Sequence, residues 1–255
     1  MSVEIKIPTI DGLTLNTKNK FIEDDITITI DQSLFEQDYS VEDGLITRTL
    51  TSYYNDRITT IGANVFYGYA TLTKIDVPNV TSIGTTAFAR SGLIETNFPK
   101  VDTIASQAFA NNSTLKKISL PSITSLTSNA LREMTGLEEI YLDNIQNIAG
   151  NGLYACYVLK RVVIRYKGGV TTLANTSAFN LCYHILGTTN ATYNPEGLQD
   201  GYIYVPDELL EDYKISTNWS TYSTQIKGLS ELPQDIREEI GLWLKEYIIW
   251  QEKMA

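Results

Sequence analysis

The stretch of sequence that begins at Leu72 and ends at Phe88 reads LTKIDVPNVTSIGTTAF, and its apolar spacing recurs through the middle of the chain. The leading half, Leu-x-x-Ile-x-Val, ends with two apolar residues two positions apart, which is the spacing of a strand with one face on a core. The second half, Ile-Gly-x-x-x-Phe, is typical of a short helical or irregular turn. Five copies of the leading half follow one another at intervals of 21 or 22 residues, and they begin at Leu72, Leu93, Leu115, Leu137 and Leu159.

A fixed period of this length predicts a solenoid, because no single repeat can bury its apolar edge and each is completed by its neighbours. We therefore predict an α/β repeat fold in which each repeat of about 22 residues supplies a strand and a short helix or turn. The residue before the aromatic position is small in most copies, as at Ala87 and Ala108, which suits the close packing of adjacent coils.

Charged residues occupy one position of the repeat and alternate in sign from coil to coil. Stacked strands lie about 4.8 Å apart, so opposite charges at this position would face each other and fix the register of the coils. The alternative is a solvated face without pairing, because exposed ion pairs contribute only about 0 to 1 kcal/mol each. The residues of this ladder are Lys74, Glu95, Lys117, Glu139 and Arg161.

The combination of residues from Leu72 to Phe88 resembles the BspA-type leucine-rich repeat of bacterial surface proteins, some protist surface proteins and many phage structural proteins. Residues 202–222, with Tyr202-Ile-Tyr-Val-Pro206 and Asn218-Trp-Ser-Thr-Tyr222, look like the segment that often closes such repeats. The resemblance covers residues 55–228, which we take as the solenoid. It implies a leucine-rich-repeat solenoid that serves as a scaffold, with no catalytic residues to carry over.

Residues 1–54 have a different character and are predicted to form a β-rich cap or anchor. Val3–Ile7 and Ile26–Ile30 alternate as strands do. Between them, residues 15–26 resemble a short element near the start of tail-associated proteins in phages of Gram-positive hosts. An ordinary hairpin that caps the open end of the solenoid explains the same residues, and the two interpretations are compatible.

Residues 229–255 are predicted to form a C-terminal amphipathic helix that begins near Pro233. Its apolar stripe either packs on the last coil or docks a partner in a larger assembly. A membrane-surface helix is disfavoured because its polar face is rich in Glu, whereas interfacial helices favour Lys and Arg. The stripe consists of Ile236, Ile240, Trp243, Leu244, Tyr247 and Ile248.

Composition and motifs weigh against several functional classes. A net charge of −10 with scattered basic residues disfavours nucleic-acid binding. Nothing at the start of the sequence reads as a signal peptide, and no run of apolar residues is long enough to cross a membrane, so we expect neither membrane association nor export by the usual route.

Catalytic and metal-binding motifs are also missing from the sequence, so we expect no enzyme, no cofactor and no metal site. The lone His184 has no obvious ligand or nucleophile partner. Cys156 and Cys182 occupy the same position of successive coils, and we expect them to be reduced and buried, although the sequence leaves open whether they form a bond.

Function is then expected to lie in surface contact. The candidate contact residues are Tyr53 and Tyr54 ahead of the first coil, and Tyr141 and Val163 as exposed strand residues. Residues 167–194 break the repeat with Gly, Thr and Asn, which indicates a projecting loop or a plain connection.

These expectations together favour a non-enzymatic structural protein of a phage virion, at the tail, the baseplate or another external position. Its partners would be other virion proteins, a host-surface glycan or protein, and further copies of itself within the assembly. The alternatives are a bacterial cell-surface adhesin of the same repeat family, a head decoration protein, and a cytoplasmic interaction module.

Overall fold

The computed structural model describes residues 3–6, 16–19, 29–30, 39–42, 45–48 and 50–238. Within these residues the chain forms short strands, short α-helical segments and several 3-10 turns. The strands are β1 Val3–Lys6, β2 Asn16–Asn19, β3 Thr29–Ile30, β4 Tyr39–Glu42, β5 Leu45–Arg48, β6 Ser52–Tyr54, β7 Thr60–Ile61, β8 Lys74–Asp76, β9 Ser82–Ile83, β10 Glu95–Asn97, β11 Thr103–Ile104, β12 Lys117–Ser119, β13 Ser125–Leu126, β14 Glu139–Leu142, β15 Asn147–Ile148, β16 Arg161–Ile164, β17 Thr172–Leu173, β18 Tyr202–Val205 and β19 Ile226–Gly228.

Among the described residues, the helical elements lie in the last coils and the closing segment. The α-helices are α1 Tyr183–Leu186 and α2 Leu210–Ile215, and residues 234–238 are helical. The 3-10 turns are Thr176–Phe179, Asp207–Leu209, Trp219–Gln225 and Leu229–Glu231.

Parallel strands stack in two series, one from each half of the repeat. The first series runs β6-β8-β10 and then β12-β14-β16-β18-β19, and the second runs β3-β7-β9-β11 and then β13-β15-β17. The strand pairing of both series is interrupted at the same place, between the coil of β10 and β11 and the coil of β12 and β13. Two antiparallel strand pairs, β1-β2 and β4-β5, lie in the N-terminal region. The described residues therefore fit the predicted repeat solenoid.

The core is built from columns in which one residue of each coil stacks on its equivalent in the next. Phe66, Phe88 and Phe109 stack with ring centroids 5.2 Å apart and nearly parallel planes. Leu131, Leu153 and Phe179 occupy the same position in later coils and are fully buried. Burial of each such side chain contributes about 1.5–3 kcal/mol. Because every column crosses all the coils, each coil is stabilised by both neighbours.

Two corners of the coil require the left-handed backbone conformation, except in the last coil, which has only the second of them. Asn and Gly adopt it most readily, but Thr86, with φ of 52°, shows that the coil imposes it on a β-branched residue too. The corners recur at the repeat spacing. The first corner is at Asn64, Thr86, Gln107, Asn129 and Asn151, and the second is at Gly68, Arg90, Asn111, Glu133, Ala155 and Leu181.

The two series begin inside the region predicted as a separate cap. Strand β3 pairs in parallel with β7, which places the buried Ile30 beside Ile61. Strand β6 pairs with β8, and Tyr53 lies beside Ile75. The stacked coils therefore extend across the predicted boundary at residue 54, because these strands carry the same inward apolar residue as the repeats.

The closing segment supplies hydrogen-bond donors to the carbonyl groups at the unpaired edge of the last short strand, β17. In earlier coils the next strand donates to the equivalent carbonyls, as Thr172 and Ala174 do to Gln146 and Ile148. After β17, side chains replace that strand: Trp219 Nε1 donates to Thr171 O at 2.6 Å, and Asn218 Nδ2 donates to Leu173 O at 2.7 Å. An unpaired strand edge is thereby covered.

The close packing of successive coils predicts that the stability of the fold depends strongly on Gly92. A Cβ at this position would lie well inside van der Waals contact with the backbone carbonyl of Ala70 in the preceding coil. We expect Gly92→Ala to lower the free energy of unfolding by about 3 kcal/mol, since the backbone of a packed coil cannot yield without disturbing its neighbours. Chemical denaturation measures the change.

The matched control is Gly168→Ala. Its Cβ would meet only the far end of the Tyr166 side chain, which can rotate away. An equal loss of stability in both variants would contradict the coil-packing explanation.

Candidate contact surface

The outer face of the first strand series changes character along the solenoid. In the first strands of this series the middle residue is the most buried and its two neighbours point outward, as in β8, where Ile75 is buried and Lys74 is exposed. The outward residues of β6, β8 and β10 are exposed, except for the half-buried Asp76, and we call them the open face. They are Ser52, Tyr54, Lys74, Asp76, Glu95 and Asn97.

The same face is covered at the last coils by the chain's own C-terminal segment. Tyr141, Val163 and Tyr204 form an apolar cluster separate from the main core, together with Leu232. Three partly buried residues pack against it, and we call the whole group the covered face. The three are Tyr202, Leu229 and Ile236.

Three of the four predicted contact residues are therefore buried. Tyr141 and Val163 were predicted to be exposed, but they are 1% and 0% exposed because residues 229–236 lie over them. Tyr53 is also buried and packs on Phe66, with ring centroids 5.4 Å apart. Tyr54, by contrast, is 61% exposed and belongs to the open face.

The described part of the predicted helix is its first turn. Ile236 packs against the covered face, so the start of the stripe contacts the solenoid. The other stripe residues lie outside the described residues, and the choice between packing and docking stays open for them. These residues are Ile240, Trp243, Leu244, Tyr247 and Ile248.

The charged ladder has the register that the repeat predicts. Lys74 is paired with Glu95 by the strand register, and Lys74 Nζ lies 2.9 Å from Glu95 Oε2. Glu139 lies between Lys117 and Arg161, with its Oε2 3.6 Å from Lys117 Nζ and its Oε1 in contact with Arg161 Nη1. The ladder thus consists of an exposed pair on the open face and a half-buried cluster of three.

Glu139 also joins this cluster to the covered face. The Tyr141 hydroxyl donates to Glu139 Oε2 at 2.5 Å. Burial, followed by this carboxylate, raises the pKa of Tyr141 above its usual range. Next to the cluster, Arg165 binds both carboxylate oxygens of Asp143, at 2.7 and 2.5 Å. The charged side chains described here therefore bind one another across coils.

A second surface feature lies on the turn side of the last coils. The rings of Tyr157, Tyr183 and Tyr193 form a cluster in which Tyr157 and Tyr193 have centroids 4.5 Å apart. Tyr157 and Tyr183 occupy equivalent positions of successive coils, directly after Cys156 and Cys182. The sequence analysis did not predict this tyrosine cluster. The repeat spacing could have indicated it, because the spacing places Tyr157 and Tyr183 at equivalent positions of successive coils.

The segment predicted as a projecting loop is largely a further coil. Strand β17 continues the second series, and Phe179 takes the aromatic position of the core. The repeat is also lengthened just before β17, where Asn147 pairs with Thr172, but the main departure from it is residues 187–201, which we call the insertion. Its Asn194 is buried, and the Asn194 Nδ2 donates to the backbone carbonyl of Leu198 at 2.9 Å. Asn194 Nδ2 also donates to Tyr183 O, so hydrogen bonds join the insertion both to its own backbone and to α1.

The comparison with known families agrees with this geometry. Residues 59–186 match the model of the BspA type leucine rich repeat region, in six copies. The chain belongs to the BspA-type leucine-rich repeat family. No curated protein matches the chain. The sixth copy corresponds to the coil that contains β17 and Phe179, where the BspA-type pattern is weakest in the sequence.

The two cysteines of the BspA-type coils are free thiols. Each thiol donates to a carbonyl of the preceding coil, Cys156 to Leu131 O and Cys182 to Leu153 O, both at 3.3 Å. Burial raises the pKa of the Cys156 thiol to about 12 and that of Cys182 well above its usual value. Both thiols are therefore protonated at neutral pH.

Among the described residues, no group of three or more His, Cys, Asp or Glu side chains is arranged to hold a metal ion. No helix in this part of the chain is both long and apolar enough to cross a bilayer.

We predict that the carboxylate of Glu139, in the half-buried cluster, contributes more to the stability of the fold than the carboxylate of Glu95, in the exposed pair. We expect Glu139→Gln to lower the free energy of unfolding by about 1–2 kcal/mol, because Arg161 and Tyr141 both lose a charged hydrogen-bond partner. The control, Glu95→Gln, breaks only the exposed pair with Lys74 and should cost at most about 0.5 kcal/mol. Equal effects in urea unfolding would contradict this ranking.

The buried thiols predict low reactivity in the folded protein. At pH 8 a disulfide reagent should modify neither Cys156 nor Cys182 on the timescale of minutes, whereas both should react at once after unfolding in guanidinium chloride. Release of the chromophore measures the reaction. Rapid modification of two thiols in the native protein would contradict the described burial.

Proposed function

We propose that this chain is a non-enzymatic scaffold that contacts a protein or glycan partner through its open face. A BspA-type repeat domain indicates a protein-interaction or adhesive role. The observation that carries the proposal is the contrast between the two parts of the sheet. The chain covers the last coils with its own segment and leaves the open face accessible to a partner.

The residues of the open face suit a contact surface. Tyr54 of the open face is 61% exposed, and Ile94, which directly precedes Glu95 and is not itself part of the open face, is 55% exposed. Such side chains bury a large apolar area on binding, and a tyrosine also keeps a polar tip. Lys74 and Glu95 of the open face form an exposed pair that contributes only about 0–1 kcal/mol, so a partner can separate the two charges at little cost.

The finer proposal is that the scaffold is an external part of a phage virion, such as the tail or baseplate. Its supports are the phage distribution of the repeat type that the chain resembles and the resemblance of residues 15–26 to tail-associated proteins. Other virion proteins and further copies of the chain would hold it in place through the N-terminal region or the C-terminal helix. A role in nucleic-acid or membrane binding is not proposed.

The runner-up is a bacterial cell-surface adhesin of the same family, since the repeat itself suits either setting. Head decoration and a cytoplasmic interaction module are further alternatives. All of them use the solenoid as a scaffold and differ in where the protein is found. Location is therefore the property that separates them.

Mass spectrometry of particles purified by density gradient from a lysate of the source culture separates these alternatives. We expect stoichiometric recovery in the particles and none in the washed envelope of unlysed cells. The ratio to the major capsid protein distinguishes a tail part from a head-wide decoration. Recovery in the envelope alone would exclude the virion proposal and leave the adhesin.

A double variant, Tyr54→Ser with Ile94→Ser, tests the open face itself. We expect the folded variant to lose incorporation into particles or adsorption of the particles to host cells by at least about tenfold, since anchors of this kind contribute more than about 1.4 kcal/mol together. The control is Ile215→Ser, which changes a residue that is more exposed, at 78%, but lies on α2. An unchanged double variant with the same melting temperature would contradict the proposal.

A further inference from the structure

Three tyrosine rings from separate segments of the chain lie close together on the turn side of the last coils. Tyr193 comes from the insertion and packs against Tyr157, with ring centroids 4.5 Å apart and planes inclined by 30°. Two rings at this separation have carbon atoms in van der Waals contact. Tyr183 lies farther away, with its centroid 5.7 Å from that of Tyr157 and 6.3 Å from that of Tyr193. The pair in closest contact is therefore Tyr157 with Tyr193.

The insertion is fixed to α1 on the C-terminal side of Tyr193. Asn194, the next residue, donates from Nδ2 to Tyr183 O at 3.3 Å. Asp200 Oδ1 lies 2.5 Å from His184 Nδ1. Further bonds from the insertion to α1 come from the backbone amides of Thr188 and Gly201 and from the side-chain amide of Gln199. Tyr193 cannot leave the neighbouring rings without breaking several of these bonds, so its contact with them is a fixed part of the fold.

The two rings in contact can react with an oxidant in solution. Tyr157 and Tyr193 are both partly exposed. Burial, followed by the phenol groups of Tyr183 and Tyr193, raises the pKa of Tyr157, so its hydroxyl keeps its proton at neutral pH. The thiols of Cys156 and Cys182 are fully buried and protonated, which makes them poor targets for the same oxidant.

We propose that Tyr157 and Tyr193 form a modification site at which a one-electron oxidant joins the two rings as dityrosine. Each phenol gives one electron to the oxidant and one proton to water, which leaves a phenoxyl radical. The two radicals couple through a carbon ortho to each oxygen, and the hydrogens on these carbons move to the oxygens as both rings become aromatic again. Two equivalents of oxidant are reduced, and the protein loses two hydrogen atoms.

The crosslink converts the packing of the insertion on the coil into a covalent bond. It closes a loop between residues 157 and 193 that persists in the unfolded chain. A closed loop lowers the conformational entropy of the unfolded chain and so stabilises the folded protein. The co-reactant belongs to the class of one-electron acceptors, such as the high-valent haem of a peroxidase or a trivalent metal complex.

Photo-oxidation of the native protein with ruthenium tris-bipyridine and persulfate tests the site. The protein is kept dilute, and the monomer is isolated by gel filtration to remove crosslinks between molecules. Trypsin and a glutamate-specific protease together release residues 140–160 and 168–196 as separate peptides. We expect mass spectrometry to find these two peptides joined, with the mass of two hydrogens lost. Oxidised monomer without this product would overturn the proposal.

The same oxidation in concentrated urea separates the effect of the fold from the reactivity of tyrosine itself. In the unfolded chain the two rings meet only by loop closure, at an effective concentration of about 1 mM or less. We therefore expect the yield of the joined peptides to fall by at least about tenfold. An equal yield in folded and unfolded protein would refute a site created by the fold.

Phenylalanine variants identify the two partners. Tyr157→Phe and Tyr193→Phe keep a packed ring but remove the phenol, so each should abolish the crosslink. The control is Tyr67→Phe, which removes an exposed phenol from an early coil and should leave the yield unchanged. Oxidation should also raise the melting temperature of the native protein and not that of Tyr193→Phe. A crosslink that persists in folded Tyr193→Phe would assign the reaction to Tyr183 and refute the proposal.

Discussion

Each coil of this protein is incomplete by itself, and the structure depends on the contact between successive coils. The backbone amides of one coil donate to carbonyls of the coil before it, as Thr172 does to Gln146. The core side chains also pack on their equivalents in the neighbouring coils, as Phe66, Phe88 and Phe109 do with ring centroids 5.2 Å apart. A coil at the end of the stack therefore needs a substitute for its missing neighbour. At the last coil, Trp219 and Asn218 supply it through side-chain donors.

The ends of the stack also determine which surfaces remain for partners. The chain uses residues 229–236 to cover the apolar outer residues of the last strands, among them Tyr141 and Val163. The first strands carry polar outer residues instead, with Lys74 and Glu95 in an exposed pair. A polar face can stay in water without cost, whereas an apolar one cannot. The proposed contact surface is thus the outer face of the first strands, which the chain does not cover with a segment of its own.

The repeat pattern predicted most of what is periodic in the fold. The strand positions, the inward residues and the pairing of Lys74 with Glu95 follow from a spacing of 21 or 22 residues, because equivalent residues of adjacent coils must face each other. What the pattern did not predict involves segments outside it. The burial of Tyr141 depends on Leu232, far along the chain, and local alternation carries no information about such a contact. The partners of His184 are hidden in the same way, because Asp200 belongs to the non-repeating insertion.

Covalent footprinting of the isolated protein and of the same protein in its assembled setting tests the central claim most directly. Hydroxyl radicals modify exposed Tyr and Ile side chains, and mass spectrometry reports the change at each residue. The account predicts that Tyr54 and Ile94 become protected on assembly while Ile215 keeps its reactivity. Unchanged labelling of Tyr54 and Ile94, with protection elsewhere on the solenoid, would contradict it.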